Sequence, residues 1–78
     1  MPNPTTSNAT LRFDLQNSTD VVVVVTDVAG KIMQTNNYNQ LAAGAQEITL
    51  ASEQWAAGIY TVSITSNGHA TTKKFVKR

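Results

Sequence analysis

Few side chains in this sequence could do chemistry. His69 is its only histidine, set in "SNGHA" directly after the Asn67-Gly68 dipeptide. A Ser-His-Asp relay needs an imidazole walled by a pocket and oriented by a carboxylate. A histidine beside a tight turn has no such wall, so His69 is read as exposed and non-catalytic. The five carboxylates are scattered, with no recognisable pair for acid–base work. Asp20 and Asp27 bracket the run Val21–Val25. Charges flanking an apolar, β-prone segment guard against aggregation, and that reading is preferred to metal ligation. No cysteine is present, so disulfides and thiolate metal sites are excluded. No catalytic residue, cofactor or metal is expected. The one concentrated chemical feature is "KKFVKR", with cations at Lys73, Lys74, Lys77 and Arg78. Phe75 and Val76 interrupt the charge, unlike the continuous run of a disordered nucleic-acid arm, and tie these cations to a folded strand.

The elements that must hold that strand are β-strands. "TLRFDL" alternates, with Leu11, Phe13 and Leu15 on one face and Arg12 and Asp14 on the other, the pattern of a half-buried strand. "VVVVVTDV" follows a polar turn and places Val21, Val23 and Val25 on one face. Val22 and Val24 lie on the other, either under a neighbouring loop or in an apolar contact surface. Gly30 in "DVAGK" marks a turn, and "KIMQT" returns as a short strand. "NNYNQ" reads as irregular. "QEITL" is a further strand with Ile48 and Leu50 inward, and "ASEQWAAG" holds either one helical turn or a loop anchored by Trp55.

"IYTVSIT" then directs Tyr60, Val62 and Ile64 inward, and Asn67-Gly68 is a strong hairpin signal. A two-residue loop pairs Tyr60 with Phe75 and Val62 with Lys73; shifted by one, Tyr60 meets Val76 and Val62 meets Lys74, and either register sets a lysine opposite a core-facing valine. A lysine opposite a core-facing valine blunts an edge, so the last strand belongs at or near a sheet edge. About seven short antiparallel strands, joined by turns at intervals of roughly 8–12 residues, predict an all-β sandwich.

Size and charge narrow the function classes. The sequence has 78 residues, one small domain that buries only roughly 60–65% of its unfolded surface. Its net charge is +1, which argues against nucleic-acid binding by bulk electrostatics. The longest apolar run, Val21–Val25, falls far short of the ~20 residues of a membrane-spanning helix, so no membrane insertion is expected. "MPNPTTSNAT" is polar and lacks the segments of a signal peptide. If the domain is exported, that signal belongs to a longer parent chain. Residues 1–9 are read as a linker remnant and the start of the domain, and residues 10–78 as the sandwich itself.

Taken together, these motifs resemble a known family. The opening Pro2-Asn3-Pro4, "VVVTDVAGK" with Asp27, Gly30 and Lys31, "LAAG" ending at Gly44, "WAAGIYTVSI" with Gly58 and Tyr60, and the closing "TKKFVKR" occur in one order along the chain. In this it is similar to the type A C-terminal sorting domains of the type IX (Por) secretion system of Bacteroidota. Trp55 departs from the pattern, where the family more often has leucine. The resemblance implies an immunoglobulin-like β-sandwich carried at the end of a larger secreted protein. It implies transit from the periplasm through an outer-membrane translocon to the cell surface or beyond. A sortase-like peptidase then removes the domain and anchors the cargo, cutting near or before Pro2. The implied partners are that translocon, that peptidase and the parent's preceding cargo domain, with a second copy of the chain as a further candidate.

Within that frame Lys73, Lys74, Phe75, Val76, Lys77 and Arg78 are the expected recognition segment, with Lys74, Lys77 and Arg78 as its reading surface. Pro2, Asn3, Pro4, Asp27, Gly30, Lys31, Gly44, Gly58 and Tyr60 are expected to be structural. The competing reading is an extracellular accessory module that binds carbohydrate or a neighbouring domain. It requires Trp55 and Tyr38 to form an exposed, coplanar aromatic platform.

Overall fold

The structure, a computed structural model, describes residues 8–77. Within them six strands run in the order β1 (Ala9–Leu15), β2 (Thr19–Thr26), β3 (Ile32–Leu41), β4 (Gly44–Leu50), β5 (Gly58–Ser66) and β6 (His69–Lys77). The expectation for the whole sequence was about seven. A single 3-10 turn, Ser52–Gln54, links β4 to β5. β1 and β4 form a two-stranded sheet; the other sheet has the order β3-β2-β5-β6. All pairings are antiparallel.

The valine run becomes the second strand because it is central, with β3 on one side and β5 on the other. Val21, Val23 and Val25 are fully buried and meet Ile64 and Val62 of β5 along the same face. Leu11, Leu15, Ile48 and Leu50 cover them from the smaller sheet, and Tyr60 completes the core. β-branched side chains suit this pleated, packed surface. Val22 and Val24 on the opposite face are half-buried. Their cross-strand neighbours are Asn37 and Thr65, and Thr35 and Ser63, respectively.

"NNYNQ", read as irregular, continues β3, which runs from Ile32 to Leu41. Irregularity within that stretch is confined to its end, where the register with β2 shifts between Tyr38 and Leu41 and Gln40 has φ 53°. The inward side of β3 is satisfied by side-chain hydrogen bonds, not by a continuous apolar face. It carries Gln34, Asn36 and Tyr38, opposite Val25, Val23 and Val21. The Gln34 amide donates to Asn36 Oδ1 at 2.6 Å, and Asn36 Nδ2 donates to the Tyr38 hydroxyl at 3.2 Å. Gln34 also crosses to β4, accepting from Ala51 N–H at 2.8 Å and donating to Thr49 C=O at 3.3 Å. The exposed edge of the smaller sheet is thereby occupied by a side-chain amide, which limits edge-to-edge pairing.

Candidate functional site

The terminal hairpin starts from its turn. Asn67 and Gly68 both have positive φ, 52° and 81°, the requirement of the two-residue turn that matches strand twist. Ser66 therefore pairs with His69, and the ladder runs without a slip through Val62↔Lys73 and Tyr60↔Phe75 to Gly58↔Lys77. β6 lies at the edge of its sheet, where the pattern of the lysines placed it.

Alternation divides β6 into two faces. Thr72, Lys74 and Val76 point outward with Ile59. Val76 is 51% exposed and its cross-strand partner Ile59 is 46% exposed. Thr71, Lys73, Phe75 and Lys77 lie on the side of the core. Lys73 is exposed, yet its ammonium donates to Arg12 C=O of β1 at 3.2 Å. Phe75 packs in a trio with Tyr60 and Trp55, with ring centroids 5.1–6.3 Å apart.

Lys77 departs furthest from expectation. It is only 9% exposed, and its ammonium donates to Ser52 C=O at 2.7 Å and Glu53 C=O at 3.3 Å. In the folded domain it stands inside rather than on a reading surface. Its burial follows from spacing: a strand that turns Phe75 to the core turns residues 73 and 77 the same way. Arg78 lies outside the described residues, as do Pro2, Asn3 and Pro4.

The other motif residues are placed as follows. The Asp27 carboxylate accepts from Ala29 N–H and Lys31 N–H, each at 2.9 Å. Gly30 N–H donates to Asp27 C=O, and Asp27 N–H to Lys31 C=O. Gly30 has φ +86°, a conformation side chains resist. The Asp-x-x-Gly-Lys motif is thus the β2–β3 turn. Asp20 likewise accepts from Gln40 N–H at 2.9 Å, so both aspartates flanking the valines hold backbone as well as charge. Gly44 opens β4 opposite Leu15, and Gly58 opens β5 opposite Lys77. Tyr60 is buried and donates its hydroxyl to Ala56 C=O.

His69 is exposed at the start of β6. Among the described residues no group of three or more histidine, aspartate or glutamate side chains could hold a metal ion. Trp55 turns its ring onto Tyr60 and Phe75. Tyr38 lies on β3, at the opposite edge of the four-stranded sheet from β6. These two rings do not share a platform.

β6 is thus a core-supported edge strand with an outward apolar and cationic face. A family model described as the secretion system C-terminal sorting domain matches residues 1–78. The chain belongs to the C-terminal sorting domains of the type IX secretion system. No curated protein matches it. As a sorting domain it is attached to a larger cargo protein and marks that cargo for secretion or display at the cell surface. The family is not one of enzymes.

Proposed function

We propose that this sorting domain is read in its folded state, by a component of the translocon, from the outward face and edge of β6. Lys74 and Val76 form the centre of that surface, with Ile59 of β5 opposite Val76 and Arg78 following in sequence; Lys73 lies on the core side, bonded to β1. The observation that carries the reading is the combination of edge position and one-signed charge. β6 borders its sheet, Val76 and Ile59 are exposed, and no aspartate or glutamate occurs from Gly58 to Arg78. An edge strand offers backbone groups to a partner strand, and exposed cations steer an acidic partner while rejecting others. Phe75 and Lys77 act from the core side, holding the strand in place.

Passage through the periplasm, removal of the domain by a sortase-like peptidase and anchoring of the cargo complete this reading, as does an immunoglobulin-like arrangement of the sandwich. Their support is the family membership. The test is a fluorescent cargo fused to residues 1–78 in a Bacteroidota host with an intact type IX system. Lys74→Glu combined with Val76→Ser should leave the circular dichroism of the purified domain unchanged. The same pair should cut the exported fraction by about tenfold or more, the factor carried by ~1.4 kcal/mol of lost binding. Export at the wild-type level would overturn the reading.

A further inference from the structure

The Ser52–Gln54 turn holds more than the connection between β4 and β5. Ser52 is only 1% exposed, and its hydroxyl oxygen accepts from Ala9 N–H, the first residue of β1, at 3.0 Å. Its carbonyl accepts from the Lys77 ammonium and from Trp55 N–H at 3.0 Å. Glu53 repeats the arrangement: its N–H donates to Asn8 Oδ1 at 3.1 Å, and its carbonyl accepts from Lys77. Two consecutive residues therefore grip the place where the chain enters the sandwich and the last described residue of β6. Asn8 and Lys77 are far apart in sequence and have no direct bond; the turn joins them. Among the described residues no buried side-chain polar atom lacks a partner, and loosening either end strands groups on the turn that also holds the other. Such stranding is costly, because a buried polar group without a partner loses its hydration with nothing in return.

We infer that Ser52 and Lys77 are positioning residues for the recognition strand, forming a buried clasp that couples the entrance from the cargo to the end of β6. The inference rests on β6 being the strand that is read. Its consequence is conditional presentation: the Lys77 end of β6 is held against the core only when the junction at Asn8 and Ala9 is folded. An unfolded junction releases Lys77, and the edge strand frays from its last pair, Gly58↔Lys77. The sorting signal thereby reports on the state of the chain just ahead of it.

The clasp is tested by amide hydrogen exchange on the purified chain, which requires no secretion system. Lys77→Met keeps the apolar stem and removes the ammonium. It should speed exchange not only in β6 but also at Ala9, which Lys77 does not touch. The expected loss of protection is roughly 10- to 100-fold, the population change from losing a charge-assisted hydrogen bond. Lys77→Arg should restore much of it, since a guanidinium can donate to the same carbonyls. Asn8→Ala, an exposed change that leaves the core intact, should speed exchange at the β6 end. It is the entrance-side probe of the clasp. Effects confined to the mutated residue's own end of the chain would overturn the clasp.

A second arm measures export against a core variant, Val25→Ala, compared at equal global stability. Lys77→Met should lower export more than that control. Equal losses would mean that global stability alone governs export, and would also overturn the clasp. If Lys74 and Val76 substitutions leave export untouched while the exchange coupling holds, the fault lies with the reading of β6 and not with the clasp.

Discussion

Asp27 acts on the fold through two backbone N–H groups, and the cost of losing it can be set out. Both acceptor bonds are 2.9 Å long, in an exposed turn where water competes, so Asp27→Ala should cost about 1–2 kcal/mol. For a domain of this size each ~1 kcal/mol moves Tm by about 4–8 °C, and thermal unfolding should show a drop in that range. Asp27→Asn keeps an acceptor oxygen and should lose less. Gly30→Ala isolates a different term. A Cβ there would meet nothing within 4 Å, so any loss comes from forcing alanine to φ +86°, about 1–2 kcal/mol. These two residues were legible as a motif, but the sequence could not say that the carboxylate ties the turn rather than only guarding the valines. Lys77 was harder to place. Its charge argued for solvent, and only the period of two through Phe75 argued for the interior.

At the scale of elements, strands whose inward residues are apolar were legible, and the strand whose inward residues are polar was not. Leu11, Ile48, Leu50, Tyr60, Val62 and Ile64 are buried as their alternation required, and Asn67-Gly68 set the hairpin register. β3 escaped because Gln34, Asn36 and Tyr38 line its core side, bonded to one another and to β4. Amides there carry no hydrophobic period to detect. That same strand makes a specific prediction. Gln34→Leu keeps similar bulk but removes the partners of Ala51 N–H and Thr49 C=O, leaving the β4 edge open. The variant should fold with lower stability, by about 1–3 kcal/mol, and should self-associate with rising concentration in analytical ultracentrifugation. A monomer as stable as the wild type would show that the amide does not guard the edge.

For the whole molecule, the decisive point is how little of β6 supports itself. Of its nine residues only Phe75 and Lys77 are withdrawn from solvent, and both depend on other elements: Phe75 on Trp55 and Tyr60, Lys77 on the Ser52–Gln54 turn. Lys73 in turn crosses to β1. An isolated two-stranded hairpin is marginal at best in water, so residues 58–78 alone should not keep the face that the full sandwich displays. A fluorescent cargo carrying only residues 58–78 should therefore stay inside the cell, although it retains every cation of the terminal segment. The same cargo carrying residues 1–78 should be exported. Replacing the domain with an unrelated sandwich of similar size should also fail, since a folded spacer lacks the edge. Export by the short hairpin would mean that a linear basic segment is the signal, and that the sandwich behind it contributes nothing to recognition.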